Sequence, residues 1–414
     1  MTENPKLHIP QPTARPGDPP DFSYIDLSPA GAVDRPPVDA AVRDIEHLAS
    51  EMVRVLDDDN VAQGPWAPDL SPETLLDALE TMVLTRAYDE RMLRIQRQGK
   101  ISFYIQALGE EAVSVGQGLA FEDGDMMFPA YRNQGLYILR GTGLVDMMCQ
   151  CLSNTRDMCK GRQMPIFYQN REKNIFTISG NLTTQYPQAV GWAMGSAIKG
   201  EDHIAASWIG DGSTAEADFH HALTFAAVYN APVVLNVTNN QWAISTFQGF
   251  AGGERRSFAS RGPGYGIPGI RVDGNDLLAV YAVTRWAADR ARSGKGPTLI
   301  ELVTYRGGAH STSDDPSRYR PKDEWQAFPL GDPVERLKMH LLHSGEWNED
   351  RHAALEQESK ATVDAAWKEA TSFGTLTEPP FLDVELMFED VFAEMPEHLE
   401  LQRRKLMRSL GSRS

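Results

Sequence analysis

The sequence feature that most constrains the fold is a repeated alternation of short apolar segments with helical patterns. Continuous apolar runs of four to eight residues are typical of buried strands, and apolar residues three or four positions apart are typical of helices. The predicted elements, in order, are strand 204–209, helix 214–229, strand 233–237, strand 270–272, helix 277–292 and strand 298–303. Strands that alternate with helices pair in parallel through right-handed crossovers. The sequence therefore predicts an α/β fold, an open parallel sheet with helices on both faces.

Regions of different composition flank this α/β segment. Residues 1–37 contain nine of the 26 prolines, which predicts an extended arm. Residues 38–70 fit either a helix or a hairpin, whereas Ser71-Pro72 is typical of a helix start. After Pro333 the chain is charged and helical in pattern. We therefore expect an arm and connector over 1–70, an α/β domain over 71–335 and a C-terminal helical region over 336–414.

Composition and charge narrow the classes of partner. The chain has 40 basic and 57 acidic residues, a net charge of −17, which argues against a nucleic-acid partner. No apolar run approaches the roughly 18 residues that span a membrane, and the N-terminus lacks the apolar core of a secretory signal, so we expect a cytoplasmic protein without membrane contact. Cys149, Cys151 and Cys159 fit no paired zinc spacing and are expected to be buried thiols.

Two polar motifs follow neighbouring predicted strands. Gly210-Asp211-Gly212 ends the first strand and Asn239-Asn240 ends the next, and Asp211 and Asn240 are 29 positions apart. Either motif alone also fits a tight turn, but this interval places both at the carboxyl ends of adjacent parallel strands, where such sheets bind ligands. The glycines allow close approach, and the helix after Gly212 directs N–H groups at an anion. Oxygen ligands from Asp211 and Asn240 suit magnesium, so the pair predicts a magnesium–diphosphate site.

Gly-Asp-Gly followed at this distance by Asn-Asn resembles the thiamine diphosphate-binding motif. The surrounding sequence, from about residue 75 to 405, resembles the alpha subunit of the branched-chain 2-oxo acid dehydrogenase (2-oxoisovalerate dehydrogenase), a thiamine diphosphate-dependent decarboxylating component. The similar stretches are 98–104 (QGKISFY), 160–165 (KGRQMP), 187–191 (PQAVG), 261–266 (RGPGYG) and 310–315 (HSTSDD). The resemblance implies the thiamine diphosphate-binding fold.

The resemblance also implies roles for individual residues. Magnesium would be bound by Asp211, Asn240 and the main-chain carbonyl of Trp242. The implied cofactor-binding residues are Tyr131, Arg132, Gly180, Leu182, Gly210, Asp211, Gly212, Ser213, Asn240 and His310. A monovalent cation such as potassium, bound by some members, would have the ligands Ser179, Thr184 and Gln185.

The loop after the strand at 298–303 carries the residues that the resemblance assigns to catalysis, namely His310, Arg306 and Ser311. An imidazole exchanges a proton near neutral pH, so His310 is expected to face the cofactor and assist reaction or acyl transfer. Ser311 matches the regulatory phosphorylation position of animal relatives. The chain departs from some relatives at Thr238, where they have an arginine that binds the diphosphate.

The predicted sheet provides the diphosphate half of a thiamine site, and the sequence contains no second α/β unit of comparable size. The resemblance implies a separate beta chain, in an α2β2 assembly, that supplies the pyrimidine half and a catalytic glutamate. It further implies oxidative decarboxylation of branched-chain 2-oxo acids such as 3-methyl-2-oxobutanoate, with acyl transfer to the lipoyl group of an acyltransferase core. A pyruvate or acetoin dehydrogenase alpha subunit and a non-catalytic scaffold of the same fold stay open as alternatives.

Overall fold

A six-stranded sheet forms the centre of the computed structural model, which describes residues 7–411. The strands are β1 (Met52–Val53), β2 (Met126–Phe128), β3 (Ala205–Gly210), β4 (Val233–Asn239), β5 (Trp242–Ala243), β6 (Thr246–Phe247), β7 (Gly269–Asp273) and β8 (Thr298–Val303). The sheet order is β1-β7-β8-β4-β3-β2, and every pairing in it is parallel. Strands β5 and β6 form a separate antiparallel hairpin. The predicted open parallel α/β sheet is confirmed.

Helices cover the sheet and extend beyond it toward the C-terminus. The α-helices are α1 (Pro72–Arg97), α2 (Glu111–Ala120), α3 (Gln134–Leu139), α4 (Leu144–Leu152), α5 (Gln185–Lys199), α6 (Ala217–Val228), α7 (Arg261–Gly264), α8 (Leu277–Arg292), α9 (Pro333–His343), α10 (Glu349–Thr371) and α11 (Glu397–Gly411). Short 3-10 helices occupy Val42–Asp44, Glu46–Ala49, Arg171–Lys173, Gly212–Ala215, Gln248–Ala251, Pro316–Arg318 and Val384–Phe388.

Alternate residues of the central strands pack into two hydrophobic cores. Trp208 of β3 lies in the core beneath α2 and α8, whereas its neighbour Ile209 lies in the core beneath α5 and α6. Val234 and Leu235 of β4 divide in the same way. Because successive side chains of a strand point to opposite faces, a strand buried on both sides is apolar throughout. This explains why the central strands were recognisable as continuous apolar runs.

The predicted boundaries hold best for long elements. Helix α8 and strand β8 have the predicted limits of 277–292 and 298–303, and Ser71 caps α1 through its side-chain oxygen, which accepts from Thr74 N. The helix predicted from residue 214 is corrected, because the chain after Asp211 first forms a 3-10 turn and α6 begins at Ala217.

The sequence pattern missed four short strands. Strands β1 and β2 have two and three residues and lie at the two edges of the six-stranded sheet, and β5 and β6 have two residues each. The connector 38–70 forms 3-10 turns, then β1, and then a tight turn in which Asp57 N donates to Val61 O. The hairpin alternative thus describes this last part, and a long helix does not. Elements this short have no measurable periodicity, so sequence patterns cannot separate them from loops.

Residues 7–41 have no regular helix or strand and lie along the domain surface, where Ala14, Ile25 and Val33 are buried. The three cysteines are buried free thiols, as expected. Over residues 7–411, no helix combines the length and hydrophobicity needed to cross a bilayer.

Candidate functional site

The carboxyl ends of β3 and β4 open into a cavity of about 490 Å³. The two strands pair in parallel, with Gly210 opposite Thr238. Asp211 and Asn240 therefore follow neighbouring strands at the same carboxyl end of the sheet. Eleven residues predicted to bind cofactor or metal line this cavity: Tyr131, Arg132, Gly180, Leu182, Gly210, Asp211, Gly212, Ser213, Asn240, Trp242 and His310. The fold therefore brings together groups that are up to 179 positions apart in the chain.

Asp211 presents a carboxylate oxygen that has no partner. The side chain is 2% exposed, Oδ1 accepts from Gly212 N at 2.9 Å, and Oδ2 is buried without a hydrogen bond. Burial raises the pKa of this carboxyl group to about 7, and the Gly212 hydrogen bond and the nearby Arg306 oppose the rise. A buried polar atom without a partner costs free energy, so Oδ2 is suited to receive a cation.

Asn240 and Trp242 supply two more oxygens at this end of the cavity. Asn240 Nδ2 donates to Glu110 Oε1 at 2.7 Å, and Asn240 Oδ1 accepts a long hydrogen bond, 3.4 Å, from Trp242 N. The carbonyl of Trp242 accepts from Arg306 Nη1 at 2.7 Å. A carbonyl oxygen has two lone pairs, so one is still available to a metal ion.

Glycine is required where the turn after β3 meets the hairpin after β4. A Cβ atom on Gly212 would lie 2.4 Å from Cβ of Ala243, closer than two carbon atoms can approach. At Gly210 a Cβ would meet nothing within 4 Å. Within the Gly-Asp-Gly motif, Gly212 is therefore required by its contact with Ala243, whereas Gly210 leaves open space at the cavity wall.

Arg132 and His310 form one hydrogen-bonded unit in the cavity wall. Arg132 Nη1 donates to Gln106 O at 2.6 Å, and Nη2 lies 2.8 Å from His310 O and 3.1 Å from His310 Nδ1. A guanidinium group can only donate, so Nδ1 accepts and the ring proton is on Nε2. Burial, with Arg132 and Arg306 nearby, lowers the pKa of His310 to about 3. The imidazole is therefore neutral at neutral pH.

The other residues assigned to catalysis lie outside the cavity lining. Arg306 is 1% exposed and donates to the carbonyls of Trp242 and Ile244 and to the hydroxyl of Tyr319. It therefore holds the β5–β6 hairpin that forms one wall. Ser311 is 9% exposed, and its Oγ accepts from Ser313 N.

Two of the predicted monovalent-cation ligands, Ser179 and Gln185, line a smaller pocket beside the cavity, and Thr184 contacts Ser179. Thr184 Oγ1 is 2.7 Å from Ser179 Oγ, and both hydroxyl groups contact the carbonyl of Asn181. Gln185 Nε2 donates to Trp208 O, whereas Gln185 Oε1 is buried without a partner. One oxygen of this set is thus unpaired.

Sequence reasoning missed Glu110 and the apolar wall of the cavity. Glu110 is 4% exposed and lies 3.7 Å from Arg132 Nε. The apolar wall that was not named in advance consists of Phe103, Ile105, Met164, Phe167, Ile244, Phe247 and Phe250. Phe103 and Met164 lie in the stretches 98–104 and 160–165 that resemble the family, so the sequence could have suggested them as site residues. Glu110 lies outside all the stretches that were named, so nothing in the sequence pointed to it.

The residues present fit magnesium and a diphosphate. Within residues 7–411 no group of three or more His, Cys, Asp or Glu side chains could hold a metal ion. A cation here would depend on one carboxylate, one amide oxygen and one carbonyl, a set that magnesium completes with phosphate and water oxygens. The unpaired Asp211 Oδ2, the nearby Arg132 and the close turn at Gly212 meet those requirements.

Comparisons with known proteins identify the family of the chain. The model of the dehydrogenase E1 component family matches residues 79–378, and that of the 2-oxoisovalerate dehydrogenase E1 alpha subunit N terminal matches residues 3–42. The 2-oxoisovalerate dehydrogenase subunit alpha of Pseudomonas aeruginosa is 59% identical over 97% of this chain and 98% of its own length. The mitochondrial subunits alpha of Homo sapiens (40% identical, 83% of this chain and 76% of theirs) and Dictyostelium discoideum (38%, 86% and 80%) are also similar.

The family model covers more than half of the chain, and the relative from Pseudomonas aeruginosa aligns over nearly all of both sequences. The resemblance seen in the sequence is thereby confirmed. The chain belongs to the dehydrogenase E1 component family, among the 2-oxoisovalerate dehydrogenase alpha subunits.

Proposed function

We propose that this chain and a beta chain together catalyse oxidative decarboxylation of branched-chain 2-oxo acids such as 3-methyl-2-oxobutanoate, with acyl transfer to a lipoyl group carried by an acyltransferase core. The observation that carries the proposal is the buried, unpaired Asp211 Oδ2 in a cavity that Asn240 also lines, at the carboxyl ends of adjacent parallel strands. Family membership sets the reaction class. The substrate would be a small 2-oxo acid whose branched tail contacts the apolar wall.

Asp211, Asn240 and the Trp242 carbonyl would hold magnesium, and Arg132 would contact the diphosphate as a planar fork of donors. The thiazolium of thiamine diphosphate supplies the electron sink that decarboxylation needs. His310, neutral and protonated at Nε2, would donate a hydrogen bond from Nε2 to the reacting oxygen. The phenyl rings and aliphatic chains around the cavity would exclude water.

Further cofactor contacts are proposed at the remaining lining residues, Tyr131, Gly180, Leu182, Gly210, Gly212 and Ser213. Potassium is proposed at Ser179, Thr184 and Gln185, because Gln185 Oε1 is a buried oxygen without a partner. Arg306 would act by holding the Trp242 carbonyl in place. A beta chain in an α2β2 assembly would supply the pyrimidine half of the site and its glutamate.

The proposal is tested with Asp211→Asn in the chain co-expressed with its beta chain. The variant keeps the size of the side chain but replaces one carboxylate oxygen by an amino group, so we expect the affinity for thiamine diphosphate with magnesium to fall by about 100-fold or more, measured by calorimetry. Turnover of 3-methyl-2-oxobutanoate by the unaltered assembly should exceed that of pyruvate.

Asp218→Asn is the matched control, because Asp218 is a partly exposed carboxylate in the first turn of α6 and lies outside the cavity. It should leave both binding and turnover unchanged. Unchanged cofactor binding by Asp211→Asn would refute the magnesium site, and faster turnover of pyruvate would favour the pyruvate-type alternative.

A further inference from the structure

Glu110 lies where α2 begins, immediately outside the main cavity. Its carboxylate is 4% exposed, accepts from Asn240 Nδ2 at 2.7 Å and lies 3.7 Å from Arg132 Nε. It borders the smaller pocket beside Asn240 and is absent from the lining of the large one. One buried carboxylate thus contacts both the proposed magnesium ligand and the proposed diphosphate ligand without facing the cofactor space itself.

The contact with Asn240 determines which way the amide points. An amide group has a donor end and an acceptor end of nearly equal size, and an ionised carboxylate can only accept. Glu110 therefore selects the orientation in which Nδ2 faces the carboxylate and Oδ1 faces away. That orientation is the one a metal needs, because only the oxygen of an amide can be its ligand.

The contact with Arg132 acts on the second proposed ligand. The guanidinium group already donates to Gln106 O through Nη1 and to His310 O through Nη2. Glu110 stands on the remaining Nε side, 3.7 Å away, so the group is restrained on three sides. A charge held in one orientation needs less reorganisation when a diphosphate binds.

We propose that Glu110 is a positioning residue of the cofactor site, which orients the Asn240 amide for magnesium and holds Arg132 for the diphosphate. This inference rests on the proposed function, since it requires that Asn240 binds the metal. Partners that orient metal ligands typically contribute 10- to 100-fold to metal affinity. The same contribution is expected here from a residue that never touches the metal.

The test is Glu110→Gln in the co-expressed assembly. A glutamine side chain fills the same space but can present either a donor or an acceptor, so it no longer selects the Asn240 orientation and no longer pairs with Arg132. We expect the magnesium concentration for half-saturation, at fixed thiamine diphosphate, to rise about 10- to 100-fold. Quenching of tryptophan fluorescence reports binding directly, because Trp242 lines the cavity. At saturating magnesium, kcat should stay within about threefold of that of the unaltered enzyme.

Glu111→Gln is the matched control. Glu111 is also buried, but its oxygens accept from Arg86 Nε and Gly109 N, away from the cavity. We expect it to lower thermal stability and leave the magnesium dependence unchanged. If Glu110→Gln does not assemble, Glu110→Asp, which keeps the charge and withdraws the oxygens by one methylene, should give a shift of about tenfold in the same titration.

Two results would overturn the inference. One is a half-saturating magnesium concentration within twofold of the unaltered value. The other is a loss of kcat and stability with no change in magnesium dependence, which is what a purely structural role predicts. If Asp211→Asn also binds normally, the proposed function fails as a whole, whereas impaired Asp211→Asn with normal Glu110→Gln refutes only the role of Glu110.

Discussion

His310 is held as a neutral imidazole by its surroundings. Burial disfavours its positive charge, and Arg132 and Arg306 add repulsion, which together lower the pKa of the ring from 6.5 to about 3. In the unfolded chain the ring takes up a proton as pH falls below 6.5. The folded chain does not, so the free energy of unfolding that His310 contributes is fully present above pH 6.5 and is lost as pH falls toward 3.

His310→Gln should therefore weaken the pH dependence of stability. Between pH 7 and 5.5 we expect the unaltered protein to lose about 1 kcal/mol more unfolding free energy than the variant, after allowance for partial solvent exposure of the ring. Denaturant unfolding of the co-expressed assembly without cofactor, at both pH values, gives the difference. His343→Gln, at an exposed site at the end of α9, is the control, and an equal loss in all three proteins would contradict the assignment.

Helix α8 is attached to the edge of the sheet by the residue that caps it. Asp276 is fully buried; Oδ1 accepts from Ala279 N in the first turn, and Oδ2 accepts from Val55 N and Leu56 N, directly after β1. Asn275 and Asp276 precede α8, and both are residue types that cap helices. The structure selects Asp276, while Asn275 donates to Gly331 O and accepts from Thr304.

Asp276→Ala would leave three buried N–H groups without an acceptor. Each such group costs about 1–3 kcal/mol, so we expect a loss of about 3 kcal/mol or more of stability, measured as a fall in Tm of the assembly. Asn348→Ala, which removes the exposed cap of α10, should cost about 1 kcal/mol. Equal losses from the two substitutions would show that Asp276 serves only as an ordinary helix cap.

The N-terminal arm and the start of the connector are held against the domain by hydrogen bonds from α8. Trp286 Nε1 donates to Pro36 O, and Arg290 Nη1 donates to the carbonyls of Val38 and Ala40. Val33 is 4% exposed and packs in the larger hydrophobic core. A segment rich in proline and without helix or strand thus covers part of the surface of α8.

Removal of residues 1–37 should destabilise the protein considerably, although the described part of this segment, residues 7–37, forms no regular helix or strand. Burial of Ile25 and Val33 contributes about 1.5–3 kcal/mol each, so we expect Tm to fall by several degrees. Removal of residues 1–13 alone keeps both side chains and should have a much smaller effect. Equal Tm values for the full chain and the chain lacking residues 1–37 would contradict this view of the arm.

The sequence by itself determined the sheet, its parallel pairing and the two polar turns at the ends of β3 and β4. These features depend on local patterns: strands buried on both faces must be apolar throughout, and a ligand-binding turn needs glycine beside an oxygen ligand. The spacing of Asp211 and Asn240 was sufficient to place both at the carboxyl ends of neighbouring strands. Edge strands of two or three residues left no such pattern.

Only the tertiary structure decided which side chains surround these two residues. Glu110 meets Asn240 across 130 positions, and Arg132 meets His310 across 178. Arg306, expected at the reacting centre, lies behind the Trp242 hairpin and holds its carbonyl groups. The physical reason is that hydrogen bonds and burial depend on distance in space. Only the tertiary fold, which no local pattern encodes, brings the loops that carry these residues into contact.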